Sequence, residues 1–331
     1  MKSFKDYPIA INEVVRAKAI VSNFLRATEL TYYAGLSQAI GAEIFIKHEN
    51  HNPTGTFKIR GGINLTHHLQ QSNIQGVITF STGNHGLSVA TSAKWFGIKA
   101  LVAVPLNNNP VKNRAIRETG AELIEAGATF EEASKVVDQL SQERGLYYAH
   151  PADEPLLING IGTEFLEIIE KLPDIDVMIL PIGAGSEVAA AITVLRAFRP
   201  NIEIIAVQAQ NSPAAYNSWQ QKSICTAHNT TFAGGFATGT GYETTFNIYK
   251  EGLDDFVLLT EDEIYDGVGA AFYYTHNLAE GAGASTIMAA WKLRDKLKGK
   301  KVVLQMSGCN ASPQEIVEAT KRTSFKNGLS K

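Results

Sequence analysis

Cysteine is scarce in this 331-residue chain: Cys225 and Cys309 are the only two, far apart and without a CxxC pair. That argues against a disulfide scaffold or a structural zinc site and fits a reducing cytosol. No apolar run reaches the ~18 residues expected of a membrane span. The N-terminus, Met1-Lys2-Ser3-Phe4-Lys5-Asp6, has no apolar stretch of the signal-peptide kind. A basic excess is missing too. The net charge is −3, from 30 Lys/Arg against 33 Asp/Glu, which speaks against a dedicated nucleic-acid binder. Internal repeats and low-complexity blocks are absent. What is present is ordinary for a globular protein: 44% hydrophobic and 19% charged residues, enough chain for one large core or two modest ones.

From about Gln75 the pattern alternates between strands and helices. Val77–Phe80 and Ala100–Val104 read as strands, Ala121–Ile124 and Leu146–Ala149 as two more. Between them lie a helix from Leu87 to Phe96 stopped by Gly97, a helix opened by Pro110 and closed by Gly120, and a third with Thr129 and Glu132 as its capping box, ending near Glu143 before Gly145. This is the order of a parallel sheet covered by helices. A second set follows the Pro151–Pro155 break: strands at 177–180, 202–207 and 302–306, with helices at 186–198, near 261–277 and at 285–297. A further strand, Ala42–Lys47, precedes them. The fold class is α/β, with two three-layer domains and mostly parallel sheets. His67 and His68 read as solvent-facing, and His228 sits in a loop without a partner.

Three segments point to chemistry. In Pro53-Thr54-Gly55-Thr56-Phe57-Lys58-Ile59-Arg60-Gly61 a lysine lies between apolar neighbours at a loop-to-helix junction. Burial there strips water from an ammonium and favours the free amine, the nucleophilic form that Schiff-base chemistry uses. Gly183-Ala184-Gly185-Ser186 joins a buried strand to a helix, where backbone N–H groups can meet an anion. A dinucleotide fingerprint is disfavoured, because Val188 replaces the third glycine and the next strand ends at Gln208 where a ribose-binding acid is expected. A single phosphate fits better. Ser81-Thr82-Gly83-Asn84-His85-Gly86 is a second such junction, of carboxylate size.

These segments, with His150-Pro151, Glu154-Pro155, Gly160-Ile161-Gly162-Thr163 and Ser307-Gly308-Cys309-Asn310, resemble in order the motifs of the fold-type II pyridoxal-phosphate (PLP) enzymes. Within them the resemblance is to the threonine/serine dehydratase and serine racemase branch, whose fold is tryptophan synthase β-like. It implies PLP as cofactor, with Lys58 as the catalytic lysine that carries it. Cofactor contacts would come from Phe57, Asn84, Gly183, Ala184, Gly185, Ser186, Ser307 at the pyridine nitrogen, and Glu280. Ser81, Thr82, Gly83, Asn84 and His85 would hold the substrate carboxylate. Residues 1–73 plus 151–331 would form the large domain and 74–150 an inserted small one. Ala184 and Ser186 depart from the family's glycine run, and Glu187 is unexpected beside a phosphate; its side chain is expected to point away. Racemases of the family carry serine where this chain has Thr82, and acids where it has Gln208–Ala214, so no metal site is read. Cys309 reads as a packed residue and not a nucleophile.

The implied activity is β-elimination of water from L-threonine or L-serine, giving a 2-oxo acid and ammonia. The alternatives are a serine racemase, a dehydratase for 3-hydroxyaspartate or phenylserine, and a non-catalytic PLP or amino-acid binding protein. The expected partner is a small amino-acid substrate, with neither nucleic acid nor membrane, in a cytoplasmic homodimer.

Overall fold

The computed structural model describes residues 4–127 and 130–329. Among the described residues ten strands run in chain order: β1 (Leu30–Tyr32), β2 (Glu43–His48), β3 (Gly76–Phe80), β4 (Lys99–Val104), β5 (Glu122–Glu125), β6 (Tyr147–Tyr148), β7 (Val177–Pro181), β8 (Glu203–Ala209), β9 (Asp255–Leu259) and β10 (Lys301–Met306). The chain divides into two compact units. The first takes the segment up to Arg26 and Phe57–Thr163; the second takes Ala27–Thr56 and everything from Glu164 on.

The first unit is built on a four-stranded parallel sheet, ordered β5-β4-β3-β6. Every residue of β3 is buried, as expected of a strand covered on both faces. Alternation along β3 sends Val77 to a core with Leu65, Leu69, Val89 and Ala93. Ile78 and Phe80 go to another, with Leu101, Ala103 and Val137. The family resemblance implies an insertion at 74–150; the compact unit that contains those residues runs from Phe57 to Thr163. The helix Lys58–Gln71 lies so close to the helix Asn84–Phe96 that a Cβ on Gly62 would sit 2.9 Å from the Ser88 carbonyl oxygen. The helix Pro155–Ile161 approaches equally closely, and a Cβ on Gly160 would sit 2.6 Å from the Arg60 carbonyl oxygen.

The second unit carries a six-stranded sheet in the order β1-β2-β10-β7-β8-β9, parallel except for β1. Ile44, Ile179, Ile205, Val302 and Leu304 share one core with Ala284 and Ile287 of the helix Gly281–Lys292.

The eight expected strands are all present within two residues of their expected bounds, and the helix 186–198 falls on its expected residues. Pro110 does open its helix, helped by Asn109 Oδ1, which accepts from Val111 N at 2.9 Å. The Thr129 capping box lies outside the described residues. Two helices start earlier than expected, at Asn84 and at Gly281, because the glycines read as loop fit between close backbones: a Cβ on Gly283 would meet the Gly308 oxygen at 2.3 Å. His67 and His68 are half-buried, not solvent-facing; His68 Nδ1 bonds the Asn64 carbonyl, and both rings pack on aromatic neighbours. No helix among the described residues is long and apolar enough to cross a membrane.

Candidate active site

In the second unit, three adjacent parallel strands, β2, β10 and β7, end on one edge of the sheet. In open α/β sheets, ligands bind outside the carboxyl ends of the strands. The turns that leave this edge are 49–56, 307–312 and 182–185. Gly183 and Gly185 are demanded by geometry. A Cβ on Gly183 would stand 2.2 Å from the Gly235 carbonyl oxygen. Gly185 is left-handed (φ 91°) and N-caps the helix Ser186–Phe198. Thr245 Oγ1 donates to the Ala184 carbonyl at 2.8 Å and steadies the turn. Ser186 is buried at the start of that helix, so the turn closes on the first-turn N–H groups, the anion-binding end of a helix.

Ser307 is buried directly after β10. The turn behind it is tied to the turn ahead of the lysine. Thr56 bridges Gly308 in antiparallel fashion, Cys309 N donates to the Gly55 oxygen at 2.9 Å, and Asn310 Nδ2 donates to the Thr54 oxygen at 2.9 Å. The Thr56 hydroxyl is buried with no partner among the described residues. Glu280 joins this group: its N donates to the Gly308 oxygen at 3.1 Å, and a Cβ on Gly308 would lie 2.4 Å from Glu280 Oε1. Glu280 is thus the N-cap of the helix Gly281–Lys292 without capping through its side chain. Cys309 is half-buried; burial, then the Glu280 charge, push its thiol up, and Sγ donates to the Asn50 oxygen at 3.4 Å.

In the first unit, Lys58 is the first residue of its helix and is half-buried, with Nζ 4.7 Å from the centre of the Phe57 ring. The Ser81–Asn84 turn follows β3. Ser81 Oγ accepts from Gly83 N at 3.0 Å, which shapes the turn, and Asn84 opens the next helix. Thr82 and Asn84 are half-buried. His85 is brought near Lys58, whose charge helps burial lower its imidazole to about 3. The ring is therefore neutral. Thr79 Oγ1 donates to the Ala149 oxygen at 2.7 Å, so His85 Nε2–H donates to Thr79 Oγ1 at 2.8 Å. The imidazole is occupied by β3. What His85 offers an anion is its backbone N–H.

One residue escaped the sequence reading. Lys112, at the start of the helix Pro110–Glu118, lies over the turn: its Nζ is 3.3 Å from where a Cβ on Gly83 would stand. A cation beside a carboxylate-sized turn has an obvious use, but nothing in the local sequence around Lys112 signals that proximity.

Glu187 settles the question raised by its charge. It is buried, and its Oε1 accepts from Gln305 Nε2 at 3.0 Å. Gln208 is also buried and accepts from Tyr216 N at 3.1 Å. His228 lies exposed.

Residues 21–308 match the family described as pyridoxal-phosphate dependent enzyme. The chain is 33% identical over 322 residues to an L-threonine ammonia-lyase of Thermotoga maritima, covering 97% of this chain and 80% of that one. It is 36% identical over 300 residues to an L-threonine ammonia-lyase of Geobacter sulfurreducens, covering 90% and 75%. Among solved structures, maize serine racemase superposes with a TM-score of 0.89 at 25% identity, over 95% of this chain and 98% of that one. The processed form of threonine deaminase isoform 2 from Solanum lycopersicum does so with a TM-score of 0.87 at 29% identity, over 95% and 90%.

Proposed function

We infer the function from one premise: the chain belongs to the pyridoxal-phosphate-dependent enzymes, in the threonine/serine dehydratase branch of fold type II. It is a PLP-dependent lyase that removes water from L-threonine or L-serine and releases a 2-oxo acid and ammonia. For L-threonine the balance is one 2-oxobutanoate and one ammonia, the water lost at the β-carbon being returned when the imine product hydrolyses.

The residues present fit the cofactor. Gly183 and Gly185 hold a turn that no side-chain-bearing residue could take, at the N-terminus of a helix, and the Thr56 hydroxyl is buried without a partner among the described residues. Gly183, Ala184, Gly185 and Ser186 would hold the phosphate through backbone N–H groups and the serine hydroxyl. Ser307 would meet the pyridine nitrogen with a neutral hydroxyl, which does not enforce its protonation. Phe57, Asn84 and Glu280 would complete the contacts. When bound, the cofactor supplies the electron sink that lets the α-proton leave. Lys58 is the attachment point and then the base that takes that proton. The N–H groups of the Ser81–His85 turn and the hydroxyls of Ser81 and Thr82 orient the substrate carboxylate.

The observation that carries this reading is the tie between Thr56 and Gly308, which fixes the chain two residues ahead of Lys58 against the residue after Ser307. The isolated cysteines fit a reducing cytosol, and the net charge of −3 speaks against a nucleic-acid partner; a homodimer working on free amino acids is proposed from the family resemblance alone. Racemisation of serine is the second reading, favoured by the likeness to maize serine racemase. Thr82 weighs against it, since a β-branched side chain has fewer rotamers with which to aim a hydroxyl at Cα. A panel of β-hydroxy amino acids, assayed for 2-oxo acid release, tests the first reading: L-threonine and L-serine should react best. Chiral chromatography of the L-serine reaction tests the second. D-serine forming as fast as pyruvate would replace the dehydratase with a racemase.

A further inference from the structure

One face of the second unit's sheet is polar where a core is expected. Lys47 of β2 is fully buried and donates to the Thr28 oxygen at 2.9 Å and to Glu167 at 2.5 Å. Its register partner on β10, Gln305, is equally buried. Gln305 Nε2 donates to Glu164 Oε2 at 3.1 Å and to Glu187 Oε1 at 3.0 Å. The orientation of this amide is fixed by chemistry. Its NH₂ has two hydrogens for two carboxylates, whereas a flipped amide would set an oxygen against both. Gln305 Oε1 remains buried with no partner among the described residues, a cost that an apolar side chain would avoid.

Glu187 stands in the first turn of the helix that the Gly183–Ser186 turn opens. A helix N-terminus attracts any nearby anion, its own glutamate included. A carboxylate free to swing in that turn would compete with a bound phosphate or repel it. We propose that Gln305 is a positioning residue for the cofactor phosphate: by holding Glu187 against β10, it keeps a carboxylate out of the phosphate cup. Gln305 lies two residues before Ser307, so one strand end orders both the cup and the pyridine side of the site. The proposal rests on the reading of Gly183–Ser186 as the phosphate cup.

The test measures affinity and not turnover. The probe is 4′-deoxypyridoxine 5′-phosphate, which lacks the aldehyde and so binds without bonding to Lys58. It is titrated into enzyme stripped of cofactor, alongside a thermal melt. Gln305→Leu should weaken binding about tenfold, and adding Glu187→Leu should restore it to within about threefold of wild type. Glu187→Gln alone should bind at least as tightly as wild type. Should Gln305→Leu fail to fold, Gln305→Asn, whose amide is one methylene short, is scored in the same way. The proposal is overturned if the Gln305 variant melts lower but binds the probe normally, or if the double variant binds no better than the single one. Wild-type protein that binds neither the probe nor pyridoxal phosphate would overturn the phosphate cup itself, an outcome distinct from either.

Discussion

The two turns assigned to anions are both strand-to-helix junctions, yet they are held differently. At Gly183 the neighbour is backbone: the Gly235 carbonyl, 2.2 Å from a would-be Cβ. At Gly83 the neighbour is the flexible end of Lys112, whose Cδ is 2.6 Å from the corresponding point. The main chain at Gly235 belongs to an exposed turn and moves only with that turn, whereas a lysine stem rotates aside on its own. If the first turn holds the cofactor phosphate and the second the substrate carboxylate, as proposed, a methyl group at Gly183 should disturb its turn more than one at Gly83.

Lys58→Ala should have the largest effect, lowering turnover by roughly three orders of magnitude or more, because the attachment point and the base are lost together. Wild-type protein should show a visible absorbance band, and borohydride should fix the cofactor on the peptide containing Lys58. Near-normal elimination by Lys58→Ala would end the assignment. Next, Gly183→Ala should weaken cofactor affinity about a hundredfold, whereas Gly83→Ala should keep the cofactor and raise KM only about threefold. Equal loss of cofactor in both would show that the two turns are held alike.

A third effect belongs to the first unit alone. Glu154 caps the helix Pro155–Ile161, accepting from Leu156 N at 3.2 Å, and Tyr147 donates to it at 2.5 Å. Burial raises its carboxyl from 4.5 to about 7, and the same burial, with Glu154 beside it, raises the Tyr147 phenol. The folded state therefore holds a proton that the unfolded state has released. The stabilisation is complete below pH 4.5 and is lost as pH rises through about 7. It amounts to roughly 3 to 4 kcal/mol. The melting temperature of wild type should fall relative to Glu154→Gln between pH 5 and 8; parallel curves would refute the shift. The smallest effect is at Lys112. Lys112→Ala should raise KM about tenfold and change kcat by less than about threefold, since it removes binding shared by ground and transition states. A KM unchanged at low salt would remove Lys112 from the site.

Much of this was legible because both sheets announce themselves. Val77–Phe80 and Val177–Leu180 are short apolar runs punctuated by glycine and proline, and such runs are buried parallel strands. The helix Pro155–Ile161 is absent from the sequence pattern, and its Gly160 lies where the Arg60 backbone passes, so packing overrides the low helix propensity of glycine. Strand β1 was unreadable for another reason. Three residues, none of them buried, carry no pattern until β2 supplies a partner. Lys58, Ser307 and the glycine turns could be picked out by type and neighbourhood. His85 could be picked out too, but its neutrality could not, because that depends on Thr79 and Ala149. Gln305 and Lys112 were invisible, since each acts across a long stretch of sequence.

That last property governs how the protein is made. All four strands of the first unit come from residues 76–148, so its sheet can close while most of the chain is still being synthesised. The second unit waits. Strand β10, at Lys301–Met306, fits between β2 at Glu43–His48 and β7 at Val177–Pro181. Until the ribosome delivers those six residues, β2 and β7 each present an unpaired edge, the form of nascent chain most exposed to aggregation and to chaperones.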